Sequence, residues 1–225
     1  MPLYLDRVPA EAADLPPALA APLDWCVALE NGEQAVPNVS EWQAGDILLV
    51  SRHSRNGFTA DMIEEYQRSC TLSYDPTKQM PARAAATVHV AIFDGDVIWQ
   101  LVPRRPVQRQ TVAEFFDHQR CYAIGRMMGL EIDGDLLTRY LERGIRTESH
   151  AIPVDTILGI LLPRWRGQQP RADLADRLRI SSTYVMAAIL FAAGDAPVHP
   201  YLLPADYSAN PECQRLDVKW AAPPG

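Results

Sequence analysis

Uncharged and mostly apolar residues run unbroken from Thr183 to Ala193, with no Gly and no Pro. Such a run, rich in Ala, predicts a helix over Ser182–Ala193, and Gly194 stands where a helix C-cap would stop it. A helix apolar on every side should be buried on every side. Ser181 and Ser182 sit at its N-terminal end. A serine there is a good N-cap, the commoner use of such a residue. The same place also aims backbone N–H groups and a positive dipole end at a nucleophile or an anion.

The other elements follow from period and punctuation. Ala44-Gly45-Asp46 makes a turn, with Asp46 stabilising it, and Ile47-Leu48-Leu49-Val50-Ser51 behind it reads as a buried strand. Residues 59–70 read as a helix with Met62, Ile63 and Tyr66 on one face, and residues 71–86, with two prolines and no period, as a loop. Thr87–Phe93 is a second strand, Asp94-Gly95 a strong hairpin signal, and Asp96–Val102 the returning strand. Arg104–Gln110 is a connector with a short extended piece around Val107. Thr111-Val112-Ala113-Glu114 is a capping box, expected to open a helix through Phe115, Phe116, Cys121 and Met127. Further helices are expected at Asp133–Arg146, Pro153–Leu162 and Arg171–Leu178, and Pro204-Ala205-Asp206 is a helix-start pattern. These elements predict an α+β fold, a small antiparallel sheet packed on a central buried helix. Residues 1–43, rich in Pro and Ala, form an N-terminal arm, 44–210 the main domain and 211–225 a C-terminal tail.

Composition narrows the function. At 225 residues the chain is long enough to bury a sizeable core, and 48% hydrophobic with 22% charged residues is ordinary for a globular protein. A net charge of −7 argues against a nucleic-acid partner. The basic clusters Arg104, Arg105, Arg109 and Arg164, Arg166, Arg171 read as solvated surface. Cys26, Cys70, Cys121 and Cys213 form no CxxC pair, which argues against zinc or a disulfide scaffold, so no cofactor is expected. The first 23 residues lack the apolar core of a signal peptide, and no apolar run is long enough to span a bilayer. Synthesis in the cytoplasm is expected, with any export left to a specialised route.

The hairpin carries candidate chemistry. With Asp94-Gly95 as a two-residue turn, Phe93 pairs with Asp96 and His89 falls opposite Gln100. Directly opposed residues share a face with Cβ atoms about 5 Å apart. An amide oxygen there can accept the Nδ1–H of a neutral histidine and hold the other nitrogen as a base. The bland alternative is a half-buried strand histidine bonded to its neighbour, with Gln100 merely exposed; a one-residue slip would present Trp99 instead. A nucleophile–histidine–orienter set is the logic of acyl transfer, and Ser181 or Ser182 is the candidate nucleophile. His53, His118, His150 and His199 have no comparable partners in the pattern, although His53 follows the first strand closely.

Gly45-Asp46-Ile47-Leu48-Leu49-Val50, His89-Val90-Ala91-Ile92-Phe93 with Asp94-Gly95, Val97-Ile98, a late apolar helix and Leu203-Pro204-Ala205-Asp206-Tyr207 together resemble the circularly permuted NlpC-type papain-like hydrolases, the YiiX-like group. The likeness spans Gly45 to Tyr207, with an untypical stretch between Phe115 and Leu178. In that family a cysteine opens an apolar helix, and Ser182 stands at its place. The resemblance implies a permuted papain-like fold, His89 as general base, Gln100 as the orienting third member, and the Ser182 backbone N–H in an oxyanion hole. Ser182 is then a cysteine replaced to hold an enzyme inactive, a natural serine nucleophile, or the relic of a site that only binds.

The implied activity is a cysteine-hydrolase-type cleavage of amide bonds in peptidoglycan peptides, weak or absent with serine at the nucleophile. A wall-cutting enzyme without a signal peptide would fit a secreted antibacterial effector, with an immunity or delivery protein as partner. The alternative on the same triad is a lipid acyl hydrolase or acyltransferase, with Phe115, Phe116, Met127 and Met128 lining an acyl site. Those residues are more commonly core. The alternative from another class is a non-catalytic binding module.

Overall fold

A computed structural model of the chain describes residues 25–26, 39–51, 58–101, 107–115, 121–146, 181–194 and 203–216. In chain order its elements are β1 (Trp25–Cys26), β2 (Ile47–Ser51), α1 (Phe58–Arg68), α2 (Ala82–Ala85), β3 (Thr87–Phe93), β4 (Ile98–Gln100), β5 (Gln108–Gln110), α3 (Val112–Phe115), β6 (Cys121–Met127), α4 (Gly134–Arg146), α5 (Ser181–Ala192), α6 (Pro204–Ala209) and β7 (Cys213–Leu216). The class is α+β. The helices expected at Pro153–Leu162 and Arg171–Leu178, and His53, His118, His150 and His199, lie outside the described residues.

All seven strands among the described residues join one antiparallel sheet in the order β1-β6-β2-β3-β4-β5, with β7 also on β6. Strands β1 and β7 lie along the same edge of β6, β1 beside Cys121 and Tyr122, β7 beside Ile124 to Met127. Short strands from the expected arm and tail are thus part of the sheet.

The run Ile47-Leu48-Leu49-Val50 does not alternate because both faces of β2 are covered. Ile47 and Leu49 enter one core cluster with Val90, Ile92 and Trp99 of the sheet, Leu137 and Leu141 of α4, and Tyr184, Val185 and Ile189 of α5. Leu48 and Val50 enter a second cluster with Ala91, Phe93, Ile98, Ile124, Trp42 and Phe115. Trp42 meets Phe93 edge to face at 5.4 Å. Each large side chain so buried contributes roughly 1.5–3 kcal/mol. A third cluster, Leu72, Met80, Ala84, Ala85, Ala205 and Ala209, seats α6 on the segment after α1.

Three expectations need correction. The capping box is present, with Thr111 N–H donating to Glu114 Oε2 (2.8 Å) and Glu114 N–H to Thr111 Oγ1 (3.2 Å), and among the described residues it opens the single turn of α3. Residues 121–127 are strand, not helix. Ala123 feeds the first cluster and Ile124 the second, so this central strand shows no period of two. Gly125 costs a helix but suits the sheet, because a Cβ there would collide with Cys213 Sγ. The expected 71–86 loop contains the short α2. Finally, α5 is buried against the sheet and α4 but not all round: Phe191, 49% exposed, rests on Tyr140 at 5.3 Å.

Helix α5 ends as its sequence predicts. Gly194 has φ +68, and Ala193 N–H donates to Ile189 O at 2.9 Å. Asp133 joins the two helices: its N–H donates to Ala192 O (3.0 Å) and its Oδ1 accepts Leu136 N–H (3.0 Å) at the start of α4. Gly144 inside α4 has a steric reason, since a Cβ would collide with the Tyr184 hydroxyl, which donates to Leu141 O at 3.3 Å.

Candidate active site

The β3–β4 connection is built by one carboxylate. Asp94 Oδ1 accepts Asp96 N–H (3.0 Å) and Val97 N–H (2.9 Å), and Oδ2 accepts Trp99 Nε1–H (2.5 Å). The loop therefore holds four residues, Asp94–Val97, and the register is Phe93 opposite Ile98 and Ile92 opposite Trp99. The two-residue turn expected from Asp94-Gly95 is not formed. The slip is two residues, so every side chain keeps its predicted face. His89 and Gln100 become diagonal rather than direct neighbours, a span that long side chains bridge.

They do bridge it: His89 Nε2 and Gln100 Oε1 are 3.0 Å apart. An amide oxygen only accepts, so His89 donates through Nε2–H. The basic lone pair is then on Nδ1, the reverse of the assignment expected from the sequence. Gln100 is buried, and its NH₂ donates in turn to Gln110 Oε1 on β5. Gln110 lay in a segment read as a connector, and only its two-residue offset from Gln108 could have marked it. Arg109 beside it stacks over Trp99 at 5.8 Å. Next to His89, β3 carries a bulge: Val50 pairs with His89 and Ser51 with Thr87, which leaves Val88 extra. Bulges re-aim neighbouring side chains and are enriched beside active sites.

Ser182 lies in the first turn of α5, after Ser181 has already begun the helix, and is fully buried. Tyr207 of α6 donates its hydroxyl to Ser182 O at 2.5 Å, and burial pushes that phenol well above its usual pKa. The next residue, Ser208, shares a hydrogen bond with Thr87 Oγ1 at 2.5 Å, two residues before His89. Asp206 Oδ2 accepts Leu203 N–H (2.7 Å) and Oδ1 accepts Ser73 N–H (2.9 Å). Gln67 of α1 completes the clamp: Nε2 donates to Ala85 O (2.7 Å) and Thr87 O (2.8 Å), and Oε1 accepts Ala205 N–H (3.0 Å).

Through α6, then, the start of α5 and the start of β3 are held at one end of the sheet. His89 and Gln100 are bonded; Ser182 belongs to the same end on a different layer. Alternation along β3 puts Val90 and Ile92 against α5, and puts His89 on the face of Ala91 and Phe93. The bulge at Val88 is the local device that departs from that alternation.

The opposite end of the sheet is polar in another way. Asp46, 1% exposed, accepts Gln43 N–H at 2.8 Å as a turn residue. It also pairs through both oxygens with Arg126 Nε and an Arg126 terminal nitrogen, each at 2.7 Å, and that bond raises the guanidinium pKa. Arg126 had no sequence signal. A cleft of about 380 Å³ opens there, lined by Gly45, Arg126, Met127, Ile132 and Ile189 among others; Ser182, His89 and Gln100 do not line it. Phe115 is buried in the second cluster and Met128 is half exposed, so the helix expected to line an acyl site is not formed. Among the described residues no helix is long and apolar enough to cross a membrane. No protein-family model matches the chain, and no curated protein matches it in sequence.

Proposed function

We propose that the chain is a papain-like thiol hydrolase of peptide amide bonds, carried here with serine at the nucleophile position. The observation that supports it is the His89–Gln100 bond, which fixes the imidazole and makes Nδ1 its basic nitrogen. With a thiol at position 182, Nδ1 would take the proton as sulfur attacks the carbonyl carbon. It would return that proton to the leaving amine as the C–N bond breaks. Water would then cleave the thioester. The sequence resemblance assigns the Ser182 backbone N–H to the developing oxyanion. A serine hydroxyl holds its proton far harder than a thiol, so activity in the present form is low. Peptidoglycan peptides are the substrate class that the sequence resemblance suggests.

A binding module without chemistry is the second reading. It is favoured by the face of β3 on which His89 lies, which is not the face that α5 covers. Product mass spectrometry on peptidoglycan fragments separates the two. Ser182→Cys should yield cleavage that the parent lacks, and Ser182→Ala should yield none. Cleavage at the same rate in all three would remove residue 182 from the chemistry, and cleavage in none would leave the binding reading.

A further inference from the structure

We propose that Gln110 is a positioning residue that decides which nitrogen of His89 carries the proton. A carboxamide has a donor end and an acceptor end of nearly equal shape. Gln100 turns its oxygen to His89 Nε2 while its NH₂ is taken by Gln110 Oε1. Were Gln110 to present a donor instead, Gln100 would turn its oxygen toward Gln110 and its NH₂ toward His89. Nε2 would then have to accept, the proton would sit on Nδ1, and the base would be lost.

Gln110 is well held for this task. Its backbone pairs with Ile98 at the end of β5, and the next residue, Thr111, is fixed by the reciprocal bonds with Glu114. Gln108 and Gln110 share the face of β5 that faces away from Val107, and Gln100 lies opposite Gln108, so Gln110 reaches it diagonally. The arrangement makes a series, Gln110 to Gln100 to His89, in which each amide end meets its neighbour. Its consequence for catalysis rests on the hydrolase reading above; the tautomer does not.

Long-range proton–nitrogen correlation spectra of the full chain, labelled with ¹⁵N-histidine, test the inference. His89 is assigned by the signal missing from His89→Ala. The parent should show the Nε2–H pattern. Gln110→Glu, an acceptor only, should keep it, and Gln110→Lys, a donor only, should move it to Nδ1–H. Gln110→Ala, the variant least liable to disturb folding, should give a mixture. One unchanged tautomer in Gln110→Lys and Gln110→Ala would overturn the proposal. In the Ser182→Cys background Gln110→Lys should lower hydrolysis at least about tenfold, with Gln110→Glu close to the parent. A tautomer that moves while Ser182→Cys cleaves nothing would keep this inference and remove the hydrolase.

Discussion

Two buried glutamines stand at the same end of the sheet and do different work. Gln67 directs all three of its bonds at the main chain, to Ala85, Thr87 and Ala205, and is 0% exposed. Gln100 directs both of its bonds at side chains, His89 and Gln110, which are only partly buried. The first arrangement fastens three backbone segments to one side chain. The second fastens no backbone and instead orders a titratable ring. A polar residue serves the fold when its partners cannot move, and serves chemistry when its partner is itself reactive.

The sharpest way to break that division is to remove each amide with little change in shape. Gln67→Met should cost about 4 kcal/mol in urea unfolding, since three buried backbone groups lose their partners. Tyr207→Phe removes the bond to Ser182 O and should cost about 1.5 kcal/mol. Gln100→Met should cost under about 1 kcal/mol, because its partners can turn to water. Equal losses for the two glutamines would erase the distinction.

A further expected signal is chemical. Burial pushes the Cys213 thiol up to about 12 from 9.0. A raised acid pKa favours the neutral thiol in the folded state. Its stabilising share is full below pH 9 and fades as pH climbs toward 12. At pH 8.5 Cys213 should be alkylated at least about a hundredfold more slowly in the native protein than in urea. Rapid native labelling at Cys213 would place it outside the closed core.

How far the sequence could be read depended on the range of each interaction. Strands β2 and β3, α4, the last turn of α5 and the start of α6 were legible, because apolar runs and caps announce them locally. The faces of His89 and Gln100 were legible for the same reason. Their register was not, since it depends on the Asp94 carboxylate reaching Trp99, five residues away. Strand β6 was misread because partners on both edges and cover on both faces remove any period. Gln67, Arg126 and Gln110 act through residues distant in sequence, and nothing near them marks their roles.

The position of α6 late in the chain sets an order of events. Its bonds close separations of 138 residues to Gln67, 133 to Ser73 and 121 to Thr87. Closing such loops costs entropy that only the completed clusters offset. On a ribosome the sheet strands from β2 to β6 can meet long before Pro204–Ala209 emerges. Until then Thr87 lacks its Ser208 partner and Ser182 O lacks the Tyr207 hydroxyl. The end of the molecule that carries His89 and Ser182 is therefore completed late, and a nascent chain would lack it for most of its synthesis.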